Sequence, residues 1–163
     1  ERVRVSVKNA SLVLAGPVDP VYRRRLEPLF ARTAPAVHWL GEVEQAEKWA
    51  TFADANAFVM CSDSESFGTT VVEAMASGVP IVVTDTCPWE EVESVGCGYW
   101  IPQRSDAIAG ALVRLLSDAA AATAMGDRGR AAARARYDWD SIARSMIEHY
   151  ARAIAGARAG SRP

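Results

Sequence analysis

Short apolar runs alternate with longer amphipathic segments along most of the chain. The runs, such as LVLA and IVVT, are rich in branched apolar residues and are bounded by glycine, proline or polar residues, which is typical of buried strands. This pattern predicts five strands, at 11–15, 37–40, 57–61, 80–84 and 98–102. The segments between them place apolar residues on one helical face, as do Ile108, Leu112, Leu115 and Leu116.

Capping residues and stop signals predict where the helices begin and end. Asp19 as the N-cap and Pro20 at the first helical position open one helix, which Pro28 should kink or end early. Ser105 should cap another helix. Further helices are predicted at 45–53, 69–77 and 119–136, with a last one after Asp138 or Asp140.

The alternation of strands and helices predicts an α/β fold, with a doubly wound, Rossmann-like parallel sheet covered by helices on both faces. A chain of 163 residues is long enough for one such domain with a sizeable core. We therefore expect one domain over 1–155 and a flexible, frayed tail over 156–163. Because the chain begins at Glu1 without a methionine, in a short alternating stretch, we interpret it as a piece of a longer protein.

Composition and charge narrow the function classes. The formal net charge of −2 argues against a nucleic-acid binder that relies on neutralising phosphates. Three cysteines, Cys61, Cys87 and Cys97, are an odd number without metal-ligand spacing, so neither a disulfide framework nor a zinc site is expected. No apolar run approaches the roughly 20 residues that span a bilayer. These features favour a location in the reducing cytoplasm.

The stretch ESFGTTVVEAMASGVPIVV, at 65–83, carries the candidate chemistry. Its loop should leave the carboxyl end of the third strand, where doubly wound sheets bind ligands, and enter the N-terminus of a helix. Unpaired N–H groups of Gly68, Thr69 and Thr70 would face an anion there, and a glycine lets a phosphate approach the backbone closely. No Lys or Arg lies in this loop, so the backbone itself must hold the phosphate.

Two glutamates flank that helix N-terminus. Glu73 lies one turn inside the helix, where its carboxylate suits the vicinal hydroxyls of a ribose. Glu65 lies on the loop side, where it could accept from hydroxyls at the other end of a diphosphate. Taken alone, both acids would more often be solvated helix-end charges. The glycine hinge between them and the strand that follows favour the functional interpretation.

The segment SDSESFGTTVVEAMASGVPIVVTD resembles the E-x7-E signature of retaining glycosyltransferases of the GT-B fold, the family 4 or group 1 glycosyl transferases. LVLAGP, VHWLGEV, CPWEEVESVGCGYWIP and YDWDSIA resemble further segments, in the same order, of that family's C-terminal donor-binding domain. The resemblance implies a domain that binds a nucleoside-diphosphate sugar as substrate. The intact enzyme would transfer the sugar to a saccharide or lipid-linked acceptor, as in bacterial cell-surface glycan synthesis.

The resemblance also implies a role for each matching residue. Glu65 would contact the sugar near the reacting carbon and is the catalytic candidate, and Glu73 would bind the ribose. Backbone groups would contact the donor sugar and the diphosphate at Ser66, Phe67, Gly68, Thr69 and Thr70. The residues expected near the base are Gly16, Gly41 and Val43. No cofactor and no bound metal is implied, because fixed donors would stabilise the leaving diphosphate.

The resemblance is incomplete on the N-terminal side. In the family, a first strand–helix unit supplies a Gly-Arg pair and a Lys that clamp the diphosphate, and nothing before SLVLAG matches it. The acceptor-binding N-terminal domain is not represented in this chain either. We therefore expect the chain alone to transfer no sugar and to bind nucleotide weakly, with a dissociation constant on the order of millimolar.

Two other functions stay open at this stage. One is a nucleotide-sugar epimerase of the same fold, whose catalytic acids and bases would lie in the unrepresented lobe. The other is a non-enzymatic nucleotide-binding module. A dinucleotide module should carry a glycine-rich first turn followed by an acidic strand end, and this sequence has neither.

The remaining prominent residues have structural interpretations. Trp89 and Trp100 are expected to pack at the rim of the site, and Tyr137 and Trp139 to pin the last helix to the core. The clustered arginines are expected to form solvated helix faces. Peripheral association with an anionic membrane surface is a lesser alternative, which would place the protein at the inner face of the cell membrane. These arginines are Arg23, Arg24, Arg25, Arg128, Arg130, Arg134 and Arg136.

Overall fold

The computed structural model describes residues 1–34 and 36–160, without the side chains of 158–160. Within these residues the elements follow the order α1 (Arg2–Ser6), β1 (Leu12–Ala15), α2 (Pro20–Ala31), β2 (Val37–Gly41), α3 (Gln45–Asp54), β3 (Phe58–Met60), α4 (Thr69–Ser77), β4 (Ile81–Thr84), α5 (Glu91–Val95), β5 (Gly98–Ile101), α6 (Ser105–Ser117), α7 (Ala119–Arg136) and α8 (Trp139–Gly160). The α/β fold class is confirmed, and each predicted strand is present.

The strands form two parallel sheets. β1 pairs with β2, with Leu12 opposite Val37, and β4 lies between β3 and β5 in the second sheet. The sequence predicted one sheet. Hydrogen bonding divides it into a two-stranded and a three-stranded part, because no strand in the described residues bridges them. Every pairing is parallel, as the helical crossovers between successive strands require.

Strand β4 is the centre of the core. Each of its residues is fully buried, and the side chains alternate between two apolar clusters. Ile81 and Val83 face the cluster formed with α4, α5 and α7, whereas Val82 faces the cluster formed with α6. Helices therefore cover both faces of the three-stranded sheet, as its near-continuous apolar strands predict.

Helix α4 packs closely against helix α7. Val71, Ala74 and Met75 of α4 are fully buried. Gly126 of α7 lies so close to Gly78 that an added β-carbon would overlap the Gly78 carbonyl group. This approach, possible only without a side chain, fixes α4 in the layer and so places its N-terminus at the sheet edge.

Two arginines of α7 close the C-terminal ends of neighbouring helices. Arg130 Nη2 donates to the Ser77 carbonyl oxygen at 2.9 Å, and Arg128 Nε donates to the Gly96 carbonyl oxygen at 2.7 Å. These carbonyls lie at the ends of α4 and α5, where the last backbone acceptors lack partners within the helix. The two side chains thus have a structural role that the solvated-face interpretation missed.

The predictions for Pro28 and for Ser105 differ from the structure. α2 continues through Pro28, because a proline removes one backbone donor and leaves the other bonds of the last turn in place. Ser105 is the first residue of α6 rather than its cap, and no side-chain hydrogen bond is made at the N-cap position, Arg104.

The two ends of the chain are more helical than expected. The opening stretch forms α1, and α8 continues to Gly160, past the point where a frayed tail was expected to begin. Residues 161–163 of that expected tail lie outside the described residues. At the start of α8, Asp138 Oδ2 accepts from the Ser141 amide at 3.2 Å, so Asp138 is the capping residue of the two candidates.

No single helix of the described chain is long and apolar enough to cross a bilayer, although α6 and α7 pass that test together as a pair bent by 102°.

Replacing Gly126 with alanine should destabilise the protein by roughly 1–3 kcal/mol, because the methyl group would force α7 away from the Gly78 carbonyl. Gly110→Ala is the matched control, since a β-carbon at this α6 position meets nothing within 4 Å. Alanine there should be neutral or stabilising. Urea unfolding followed by circular dichroism measures both variants, and equal midpoints for G126A and the wild type would contradict this packing.

Candidate functional site

The loop between β3 and α4 ends at a glycine in the left-handed conformation. Gly68, with φ +81° and ψ +64°, is the buried N-cap of α4 and carries no capping side chain. The Val71 amide donates to the Gly68 carbonyl oxygen at 2.9 Å. Within the described residues, the amides of Gly68, Thr69 and Thr70 have no protein acceptor. The helix start therefore retains free donors, as the sequence predicted.

Gly68 is also confined by its neighbours. A β-carbon would lie 3.1 Å from Trp89 Nε1, and 3.2 Å from both Glu65 Cγ and Met60 Sδ. Side chains of L residues rarely adopt its positive φ in any case. Packing and backbone conformation together restrict this position to glycine, in addition to any need for a ligand to approach the backbone.

Trp89 holds the loop from the β4–α5 connection. The indole is 1% exposed, and its Nε1 donates to the Phe67 carbonyl oxygen. The rings of Phe67, Trp89 and Tyr137 form a triangle with centroid separations of 5.3, 5.9 and 6.0 Å. Trp89 was expected to pack at the rim. Its hydrogen bond to the loop backbone has no local signal in the sequence.

Tyr137 connects the end of α7 to α5. Its hydroxyl donates to the Glu91 carboxylate, which also accepts from Arg136 Nη1 at 3.0 Å. Burial and the neighbouring Glu91 carboxylate raise the pKa of Tyr137, so the hydroxyl keeps its proton and remains a donor. Tyr137 packs against the core as expected, two residues before the start of α8. The corresponding prediction for Trp139 is wrong, because its ring is 82% exposed at the start of α8.

Glu65 lies at the edge of an acidic and aromatic cleft. Its Oε1 accepts from the Ser66 amide at 3.1 Å, which keeps the carboxylate close to its own loop. The cleft has a volume of about 620 Å³ and no basic side chain in its described lining. Carboxylate acceptors beside aromatic rings suit a hydroxyl-rich ligand better than a phosphate. The lining includes Glu65, Phe67, Asp85, Glu90, Glu91, Trp100 and Tyr137.

Glu73 has a partner that the sequence analysis missed. Lys48 Nζ of α3 donates to Glu73 Oε1 at 2.7 Å, and each side chain is 25% exposed. The loop itself contains no basic residue, but the fold brings this lysine to α4 from 25 positions earlier. No local pattern could have indicated the pair, because the packing of α3 beside α4 creates it.

Two of the residues expected near the base meet at the carboxyl ends of β1 and β2. The Gly16 amide donates to the Gly41 carbonyl oxygen at 2.7 Å. Val43, which is half-buried, follows in the connection to α3. The first turn of α3 then carries Lys48. Helix α3 therefore connects the corner at Gly16 and Gly41 to Glu73, through the side chain of Lys48.

Neither Cys61 nor Cys97 adds a thiolate to the site. All three are free; Cys61 is exposed, and Cys87 and Cys97 are buried. Burial raises the pKa of Cys61, and raises that of Cys97 to about 11, so both remain thiols near neutral pH. Among the side chains that the structure describes, no group of three or more His, Cys, Asp or Glu is placed to hold a metal ion.

Comparisons with known proteins point to one family. The family model described as Glycosyl transferases group 1 matches residues 2–132. The chain is 35% identical over 119 residues to a phosphatidyl-myo-inositol mannosyltransferase of Mycobacterium leprae, covering 70% of this chain and 31% of that protein. It is 32% identical over 158 residues to a GDP-mannose-dependent alpha-(1-6)-phosphatidylinositol monomannoside mannosyltransferase of Mycobacterium tuberculosis, covering 90% and 40%.

A solved structure is similar along nearly the whole chain. Sucrose-phosphate synthase from Thermosynechococcus elongatus superposes with a TM-score of 0.79 at 27% identity, over 95% of this chain and 42% of that one. The chain thus spans about a third to two fifths of the length of these proteins. The family match begins at residue 2 and so includes the stretch before SLVLAG, which the sequence analysis left unmatched.

Trp89→Phe should loosen the loop, because the Phe67 carbonyl loses the indole N–H that holds it. Backbone order parameters at 66–68 should fall from the about 0.85 of rigid backbone towards about 0.6. Trp100→Phe is the matched control, since its Nε1 donates to the Cys87 carbonyl oxygen at 3.0 Å, outside the loop. NMR relaxation measures both variants. Unchanged order parameters in W89F, or an equal fall in both, would rule out this role for Trp89.

Proposed function

Because the chain belongs to the glycosyl transferases group 1 family, we propose that it forms the donor-binding part of a retaining glycosyltransferase. The proposed reaction moves a sugar from a nucleoside diphosphate to a saccharide or lipid-linked acceptor. One observation carries the proposal: the first amides of α4 have no acceptor among the described residues, and Glu65 lies before them and Glu73 one turn inside the helix. A helix N-terminus of this kind attracts an anionic group through its N–H donors and its dipole.

In the proposed complex, the groups attached to the two ends of the donor diphosphate each contact one acid. Glu73 accepts from ribose hydroxyls, and the sugar lies on the Glu65 side, beside the acidic and aromatic cleft. The amides of Gly68, Thr69 and Thr70 bind the diphosphate. Because these donors are fixed before the reaction, they stabilise negative charge on the leaving group without reorganisation, and we propose that no bound metal is required.

The other predicted residues complete the donor site in this proposal. Backbone groups of Ser66 and Phe67 contact the sugar, and the base lies near Gly16, Gly41 and Val43 at the carboxyl ends of β1 and β2. Retention of configuration follows from the family resemblance. In that mechanism the new bond forms on the face that the leaving diphosphate vacates.

The mycobacterial relatives indicate which donor to test first. One is named as GDP-mannose-dependent, and both names include a phosphatidylinositol. We propose a hexose donor and a lipid-linked acceptor at the cytoplasmic face of the membrane. Any contact with that anionic surface would fall to Arg24, Arg25 and Arg134. The other clustered arginines interact within the fold, since Arg128, Arg130 and Arg136 donate hydrogen bonds and Arg23 lies over the Trp39 ring.

Glu73→Gln should weaken nucleoside-diphosphate binding about tenfold or more, because a ribose hydroxyl loses a charged acceptor. Glu65→Gln should leave that binding unchanged and weaken only the sugar-bearing donor. Glu148→Gln, on the exposed face of α8, is the control for removing one carboxylate elsewhere. NMR titration with GDP and GDP-mannose, and with UDP and UDP-glucose, measures each variant. Equal nucleotide affinity in E73Q and the wild type would count against the ribose site.

The chain on its own should bind nucleotide with a dissociation constant on the order of millimolar and transfer no sugar. The reason is that the chain spans only about a third to two fifths of the length of the proteins it matches, so the remaining part of such an enzyme is not present in the assay. Incubation with donor and acceptor, followed by chromatography of the products, measures transfer. Steady product formation by the purified 163-residue chain would refute this expectation.

A further inference from the structure

We infer that Lys48 is a positioning residue of the nucleotide site: its ammonium holds one oxygen of the Glu73 carboxylate and leaves the other to accept from the nucleotide. The inference rests on the proposed function, since it concerns the acid assigned to the ribose. It begins from the ion pair between α3 and α4, in which Lys48 Nζ lies 2.7 Å from Glu73 Oε1.

This pair is more buried than the other ion pairs of the described residues. Both of its side chains are 25% exposed, whereas each of the others has at least one partner more than half exposed. Exposed pairs of long side chains are screened by water and seldom hold one geometry. A pair withdrawn from water keeps its hydrogen bond, so Lys48 can restrict the rotamers of Glu73.

The described residues bond to only one oxygen of the Glu73 carboxylate. In the described part of the chain, Oε1 accepts from Lys48 and no donor reaches Oε2. Oε2 is not fully buried, because Trp39 Nε1 is the only described side-chain polar atom that is both buried and unpaired, and the Glu73 side chain as a whole is 25% exposed. A ligand hydroxyl can therefore reach an acceptor whose direction is already set.

Hydrogen bonds at the start of α3 hold the backbone of Lys48 in place. It lies in the first turn of α3, where its amide donates to the Glu44 carbonyl oxygen at 2.9 Å. Glu47 Oε2 accepts from the Glu44 amide at 3.3 Å across this turn. The same turn follows directly from the connection that contains Val43. The corner proposed for the base and the acid proposed for the ribose are thus joined through Lys48.

If Lys48 competed with the ligand instead, its removal would change the affinity in the opposite direction. If a ribose had to displace the ammonium from Glu73, Lys48 would compete with the ligand, and its removal would tighten binding. The free Oε2 favours positioning over competition. The sign of the change in affinity distinguishes the two.

NMR titration with GDP and with UDP tests the inference on the wild type and four variants: Lys48→Met, Lys48→Arg, Glu73→Gln and the double variant. K48M should weaken binding about five- to tenfold, and K48R should restore most of the affinity. In the double variant, K48M should add less than about twofold to the loss in E73Q, because Lys48 acts through Glu73. Lys8→Met, at the only other lysine, removes the same charge outside the site and should change nothing.

The outcomes separate this inference from the proposed function. Three results would overturn the inference: unchanged or tighter binding by K48M, an equal loss of affinity in K8M, or affinity losses that multiply in the double variant. An affinity loss in E73Q would still uphold the ribose site in each of these cases. Wild-type affinity in E73Q would overturn both. Thermal unfolding of each variant shows whether a loss of binding reflects a loss of folded protein, and K48M that melts with the wild type yet binds weakly supports the inference.

Discussion

The close packing of helix α4 against the three-stranded sheet and helix α7 is the constraint on which the site depends. Strand β4 is buried on both faces, and α4 covers one of them with residues that have no exposed surface. Gly126 lets α7 approach the end of α4, and Arg130 donates to the Ser77 carbonyl oxygen at that end. A helix held this firmly at its sides and its C-terminus presents its N-terminal amides at a fixed place on the sheet edge.

That rigidity extends into the loop before α4. Trp89 bonds the Phe67 carbonyl, Gly68 fits between three neighbouring side chains, and each of the two acids is already hydrogen-bonded in a defined direction. Glu65 is bonded to its own loop, and Glu73 to Lys48. Donors and acceptors placed before a ligand arrives need no reorganisation when charge develops on a leaving group, which is how fixed dipoles favour a transition state.

Local signals were sufficient where neighbouring residues encode both ends of an element. The predicted bounds of α4 and α7 agree with the structure. Left-handed glycines lie at both ends of α4, and Asp118 accepts from the Ala121 amide at the start of α7. Such signals were insufficient where packing decides. Helix α5 is one turn long and too short for a periodic pattern, and the sheet divides into two parts. Trp139 projects into solvent, although its large aromatic side chain suggested an anchor.

The sequence by itself determined the order of strands and helices, the glycine that starts α4 and the two acids eight positions apart, because each of these is a property of adjacent residues. Only the tertiary structure decided the partners: Lys48 for Glu73, Trp89 for Phe67, and Gly126 against Gly78. These contacts join residues at least 22 positions apart. They arise when helices and connections pack over the sheet, so no single stretch of the chain contains them.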